Sequence, residues 1–211
     1  LPRFSLISTY ENSLVKKPTQ ILRVCYLGFS LPHSEEKSLV ETHRILSILL
    51  GEKFHLTYRA HPQRQIGTAH ETLKKLSKNF DYWNFNLKDK KNRPIIDKKY
   101  LDELTSYDLV ISTPTTMALE SIMLGMPCLI DASDSPDLYT SSGNACKYFI
   151  HAQDLLNYYQ NNVFHNFSQL EELLKSFVSG EKQKINKNFN ELVDYSHDFR
   201  VLFNLLIAKR S

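Results

Sequence analysis

A doubly wound α/β domain built on a parallel, Rossmann-like sheet is the fold class this sequence predicts, and three observations carry it. From Ile21 onward, short apolar runs alternate with segments of helical periodicity. The runs are apolar at nearly every position rather than at every second one, as strands buried on both faces are. They are bounded by turn residues such as Gly28, Pro62, Gly125 and Pro127. A strand followed by a helix and then by another strand implies right-handed crossovers, with helices on both faces of the sheet. With 211 residues, 42% of them hydrophobic, the chain suits one ordinary domain or two small ones and can fill a core.

The elements follow in order. Residues 1–20 mix Ser, Asn, Lys and Pro around scattered apolar residues, which predicts a linker or interdomain strap. Ile21 to Phe29 (ILRVCYLGF) reads as the first strand, running into the turn Gly28-Phe29-Ser30. Ser34 to Leu50 reads as a helix, with Leu39, His43, Leu46 and Leu50 at helical spacing, Ser34 as N-cap, Glu35 and Glu36 in the first turn, and Gly51 as the stop. Phe54 to His61 is a second strand closed by Pro62. Two further helix–strand pairs follow: Thr68 to Asn79 with Phe80 to Phe85, and Asp97 to Ser106 with Asp108 to Thr113. Thr115 to Leu124 is a short helix ended by Gly125, and Pro127 to Asp131 is a fifth strand. A polar loop leads to a sixth strand expected at Lys147 to Ile150. Helices are expected over Ala152 to Asn161, Ser168 to Val178 and Glu181 to Ala208. The Rossmann-like domain is thus drawn over residues 21–150, with C-terminal helices packing on it over 151–211.

Several function classes are disfavoured by counts alone. Charged residues make up 23% and the net charge is +3, so no global field calls for nucleic acid or an anionic membrane as partner. The run Lys88, Lys90, Lys91, Arg93, Lys98 and Lys99 reads as a solvated basic stretch. Three cysteines cannot all pair, and Cys25 and Cys128 fall inside buried strands, which implies reduced thiols and an intracellular setting. No apolar run reaches the roughly 18 to 20 residues of a membrane helix, and no signal-peptide pattern is present. A start at Leu1 rather than methionine implies a processed chain or an excised piece with a partner domain elsewhere. There is no G-x-G-x-x-G, no G-x-x-x-x-G-K-[ST] and no G-x-S-x-G around Ser112. His151, His165 and His197 lack metal-ligand spacing, so no metal site is expected.

In an open α/β sheet, ligands bind beyond the carboxyl ends of the strands, so residues there are the candidates. Thr113-Pro114-Thr115-Thr116 ends the fourth strand and begins a helix. Free N–H groups and hydroxyls converge there on the positive end of a helix dipole, the arrangement that holds phosphate. Thr116 and Glu120 are four residues apart and share a helix side, so Glu120 can take ribose hydroxyls while the threonines hold phosphate. The plainer alternative makes Thr115 an N-cap and Glu120 a solvated carboxylate. At the second strand's end, Pro62 stops the ladder and biases His61 to an extended backbone, presenting the imidazole at the strand's mouth. Arg59 lies two residues away and points to the same side. Here His61 can bond a phosphate or base, or stabilise a leaving phosphate when protonated; the plainer alternative is a histidine that satisfies nearby backbone groups. Gly28 and Ser30 form a small-residue turn that lets a ligand or a neighbouring domain approach.

In combination, a strand, "YRAHPQ", another strand and then "YDLVISTPTTMALESIMLGMPCLID" resembles the C-terminal donor-binding domain of GT-B glycosyltransferases. More closely it looks like the bacterial surface-polysaccharide enzymes that carry a His-Pro motif and a later Ser/Thr pair: sialyltransferase-like, Kdo-transferase-like and CDP-glycerol-transferase-like proteins. The resemblance covers Ile21 to Asp131. It implies that His61-Pro62 contact the nucleotide, that Thr115-Thr116 hold its phosphate and that Glu120 serves the ribose. It further implies a nucleotide-sugar donor, with CMP- or CDP-linked sugars favoured and UDP-linked sugars next, and a glycan or lipid-linked acceptor. An N-terminal GT-B domain outside this chain would supply the catalytic base, so no base is assigned here. Inverting, metal-independent transfer is expected, because no Asp-x-Asp lies at a strand end and the helix dipole, threonines and His61 can offset phosphate charge. Glycan assembly implies a cytoplasmic enzyme, peripheral at the inner face of the plasma membrane. A UDP-sugar 2-epimerase-like enzyme shares the two-domain architecture and the phosphate-binding helix start, and a non-catalytic scaffold domain would keep the fold alone.

Overall fold

The computed structural model describes residues 20–29, 35–61, 75, 80–82, 97–133, 142–148, 155–156 and 159–180. Its elements are β1 (Leu22–Leu27), α1 (Glu35–Leu50), β2 (Phe54–Arg59), β3 (Phe80–Tyr82), α2 (Lys98–Thr105), β4 (Leu109–Ser112), α3 (Thr116–Met123), β5 (Cys128–Asp131), α4 (Ser142–Tyr148), a 3₁₀ turn (Gln160–Asn162), β6 (Val163–Phe164) and α5 (Phe167–Val178). The six strands form one sheet in the order β3-β2-β1-β4-β5-β6, every pair parallel. Chain order reverses between β1 and β4, and that switch point is where the crevice of a doubly wound sheet opens.

Alternation along the strands divides the core between two faces. Val24 and Tyr26 of β1, Leu56 and Tyr58 of β2, Leu109 and Ile111 of β4 and Leu129 of β5 pack under α1 and α5, with Leu39, Leu46, Leu170 and Leu174. Cys25, Leu27, Val110, Cys128 and Ile130 face the opposite side, where α2 and α3 contribute Tyr100, Leu101, Leu104, Ala118 and Ile122. Both sides of β1, β4 and β5 are therefore buried, which is why these strands lack a polar-out pattern. Helix ends are fixed by their own side chains. The Asp97 carboxylate accepts the Tyr100 N–H at 2.9 Å to start α2, and the Asn166 amide oxygen accepts the Gln169 N–H at 3.0 Å to start α5. Gly125, at φ 71°, lets the chain leave α3 in a left-handed turn. At the amino-terminal ends of the central strands, Asp108 fixes the entry of β1 beside β4: its carboxylate accepts the Arg23 N–H at 2.8 Å, and its own N–H donates to the Arg23 carbonyl at 2.8 Å.

Two expectations are corrected. The sixth strand is Val163–Phe164, not residues 147–150, since Ser142–Tyr148 is helical and ends at the start of that range. Two residues, Val163 and Phe164, are too few for periodicity to register, and β6 exists because the edge of β5 at Ile130 and Asp131 offers it pairing groups. The chain reaches it through the 3₁₀ turn, where the expected helix would still be running. The helices expected over 68–79 and 181–208 lie outside the described residues, except that Lys75 is helical. Of the basic stretch, Lys98 and Lys99 are described and exposed at the start of α2.

Candidate functional site

The site is built from the strand ends outward. Register pairs Leu27 with both Arg59 and Ser112, and Ser112 with Ile130, so β1, β2 and β4 finish level and β5 runs one residue further, to Asp131. Around that edge the fold gathers Gly28, Arg59, His61, Thr113, Thr115, Thr116 and Glu120. Ser30 and Pro62 lie outside the described residues.

Helix α3 begins directly at this edge. Thr115 holds the N-cap position with extended backbone, yet its side chain makes no capping hydrogen bond. Its hydroxyl instead lies 3.3 Å from the Ser112 Oγ, which itself donates to the Thr113 carbonyl at 2.8 Å. The first-turn N–H groups, which have no partner inside a helix, therefore receive nothing from the residue best placed to cap them. Beside them the Thr113 hydroxyl is buried and has no hydrogen-bond partner among the described residues, while Thr116 is exposed. An uncapped helix start flanked by three threonines, at the switch point of a parallel sheet, has the donors and the dipole to bind an anion.

Arg59 and Glu120 are placed differently from what spacing alone suggests. Arg59 is 2% exposed and runs inward beneath the start of α3, where Nη1 meets the Met117 sulfur and the guanidinium lies 5.8 Å from the Tyr100 ring centre. Glu120 is fully buried and accepts the Tyr100 hydroxyl at 2.7 Å. Thr116 and Glu120 do sit one helical turn apart, but α3 descends from the surface into the core along that turn, so one is exposed and the other enclosed. Tyr100 of α2 thus links the cation from β2 to the carboxylate from α3. Sequence reading missed it because it fits the apolar face of an amphipathic helix. His61 is half-buried, with its backbone nitrogen close to Gly28.

On the α1 face a second polar group escaped the sequence reading. Tyr26 donates to the Asp131 carboxylate at 2.7 Å, and Ser133 donates to that same carboxylate from its N–H at 2.9 Å and its hydroxyl at 2.5 Å. Tyr58 donates to Glu35 at 2.6 Å. Burial foremost, then the carboxylates of Asp131 and Glu35, push the Tyr26 phenol well above its ordinary pKa, so it stays a donor. The available signal was a carboxylate ending an otherwise apolar strand, Asp131, and a tyrosine on the same face of β1, at the level of Leu129. The three cysteines are buried free thiols, and burial pushes those of Cys25 and Cys128 strongly up, which leaves them protonated and inert. Among the described residues, no group of three or more His, Cys, Asp or Glu is placed to hold a metal ion, and no helix is long and apolar enough to cross a membrane.

No known protein family matches the sequence, and no curated protein does. Solved structures do resemble the fold. An α,α-trehalose-phosphate synthase (UDP-forming) from Burkholderia vietnamiensis superposes with a TM-score of 0.56 at 12% identity, over 90% of this chain and 43% of that one. An α,α-trehalose 6-phosphate synthase from Burkholderia multivorans gives 0.52 at 13% identity, over 91% of this chain and 44% of its own. A protein assigned as a UDP-N-acetylglucosamine 2-epimerase from Listeria monocytogenes gives 0.50 at 11% identity, over 79% and 39%. The fold is therefore the Rossmann-like α/β unit of GT-B-type proteins. This chain spans well under half the length of the structures it matches.

Proposed function

We propose that this chain is the donor-binding half of a nucleotide-sugar-dependent glycosyltransferase of the GT-B type, inverting and metal-independent, acting in bacterial surface glycan synthesis. The observation that carries the reading is the start of α3 at the switch point, uncapped by the Thr115 side chain, with the Thr113 hydroxyl buried beside it and unbonded among the described residues. The first-turn N–H groups and the hydroxyls of Thr115 and Thr116 would hold the donor phosphate. Because those donors are fixed by the fold before any ligand arrives, they would stabilise the charge that grows on a leaving phosphate without reorganising. His61, at the mouth of β2 beside Gly28, would add a donor to the same oxygens. Gly28, Ser30, Arg59 and Pro62 complete the proposed donor-binding set. Glu120 is the proposed ribose partner, and because it is fully buried against Tyr100 that role requires its carboxylate to be uncovered when the ligand binds. A partner domain outside this chain would bring the acceptor, a glycan or lipid-linked sugar, and the catalytic base. The working place of such an enzyme would be the cytoplasm, peripheral at the inner face of the plasma membrane.

The resemblance to enzymes with a His-Pro motif favours a cytidine donor, whereas the names of two structural neighbours carry UDP. Calorimetric titration with CMP, CDP, UMP, UDP and GDP separates these. A bound nucleotide raises apparent stability by RT ln(1 + [L]/Kd), a few kcal/mol well above Kd. Thr116→Ala and His61→Ala are each expected to weaken binding about tenfold or more, the worth of one hydrogen bond to a charged group. Failure of every nucleotide to bind, both to this chain and to a polypeptide that includes a partner domain, refutes the reading. Sugar transfer by that longer polypeptide should persist in EDTA. The likeness to a 2-epimerase fold supports a second reading, which product analysis tests: an epimerase releases sugar without an acceptor.

A further inference from the structure

Glu35, the first residue of α1, is 4% exposed, and its carboxylate holds three segments together. Oε1 accepts the Phe29 N–H at 2.5 Å, and Oε2 accepts the Tyr58 hydroxyl at 2.6 Å. Oε1 also occupies the space that a side chain on residue 28 would need. A Cβ built on Gly28 would lie 3.0 Å from that oxygen, 3.3 Å from the Arg59 carbonyl and 3.3 Å from the His61 nitrogen. The Gly28 N–H in turn donates to the Arg59 carbonyl at 2.8 Å. One buried carboxylate therefore fixes the turn after β1 against the end of β2, and through Gly28 it sets where the backbone of His61 can lie. Charge-assisted bonds to an enclosed carboxylate are the strong ones, and losing the carboxylate strands its donors.

We propose that Glu35 is a positioning residue for an anionic ligand held at this edge: it touches no ligand itself, but it fixes the Gly28–Phe29 turn and the His61 backbone in the geometry that receives the ligand's phosphate. The proposal rests on the donor-site reading above. It goes beyond that reading by assigning a residue on the far side of the turn, at the start of α1, and by naming the contact through which it acts.

The test compares the wild type with Glu35→Ala and Tyr58→Phe, using UDP and CMP as probes, at a temperature where circular dichroism shows each variant fully folded. Glu35→Ala is expected to weaken nucleotide binding about tenfold and Tyr58→Phe a few-fold. Amide hydrogen exchange at Phe29 should accelerate in Glu35→Ala. Leu174→Ala, a core truncation in α5, loses stability without touching this edge and should leave Kd unchanged, which separates positioning from mere stability. In the Glu35→Ala background, His61→Ala should cost less than it does in the wild type, because the imidazole is already misplaced. Wild-type affinity in Glu35→Ala, or fully additive effects of Glu35→Ala and His61→Ala, would overturn the positioning role while leaving the donor site standing. If the wild type binds neither probe, the comparison is made in the longer polypeptide that includes a partner domain; failure of every nucleotide to bind there too fells the donor-site reading, and unchanged exchange at Phe29 in Glu35→Ala disposes of the clamp in either case.

Discussion

Removing one hydroxyl from Tyr26 tests how much the buried polar group under α1 contributes. Tyr26 and Asp131 are both fully buried, and the phenol donates to Oδ2 at 2.7 Å across the gap from β1 to β5. Tyr26→Phe keeps the ring and its tilted contact with Tyr58, 6.4 Å between centres, so packing is preserved and only the bond is lost. The Asp131 carboxylate retains the two donors of Ser133 and is not stranded. The loss should therefore be that of one hydrogen bond to a carboxylate, about 1.5–3 kcal/mol. With a urea m-value of roughly 2 kcal/mol/M, the unfolding midpoint falls by about 1 M at unchanged m. Asp131→Asn should cost more, because the charge that strengthens all three bonds is lost and the amide nitrogen either opposes the Ser133 N–H or turns the phenol from donor to acceptor. A double-mutant cycle isolates the pair, with an expected coupling of about 1–3 kcal/mol. Coupling below about 0.5 kcal/mol would refute the reasoning, since it would mean that the phenol and carboxylate are as well served apart as together.

Other perturbations have equally definite outcomes. His43 packs edge-on to Phe54 at 5.3 Å with Nε2 buried and without a hydrogen-bond partner among the described residues, and burial lowers its pKa from the ordinary 6.5. The unfolded chain binds that proton first, so this contribution to stability is present above pH 6.5 and is lost as pH falls through the folded value; His43→Gln should flatten urea midpoints measured between pH 7 and 5. On the alkaline side, Tyr26, Tyr107, Tyr159, Cys25 and Cys128 all have raised pKa values, chiefly from burial. Their unfolded values are 10.0 for the phenols and 9.0 for the thiols, so stability should fall as pH rises past 9, and phenolate absorbance from these tyrosines should appear only with unfolding. Leu104→Ala opens a cavity between α2 and the sheet and should cost about 2–5 kcal/mol, read as a lower denaturation midpoint; a loss under 1 kcal/mol would contradict the packing described for that face.

What the sequence determined by itself was the sheet and the helix start that follows its fourth strand. Runs such as LRVCYL and LVIS are apolar at consecutive positions, and only burial on both faces explains that. Parallel strands with helical crossovers follow from it, as does the interest of residues just past the strand ends. Thr113 to Thr116 were legible because a helix start after a strand is a local feature. Tertiary structure alone decided which polar side chains meet. Arg59, Tyr100 and Glu120 are brought together from β2, α2 and α3, and Tyr26 and Asp131 lie 105 residues apart in the chain, so no periodicity relates them. It also decided that Arg59 and Glu120 are enclosed, because spacing fixes a residue's direction on its own element but not the depth at which the element passes through the core. β6 was invisible for a related reason: two residues become a strand only when a neighbouring edge is there to pair with them.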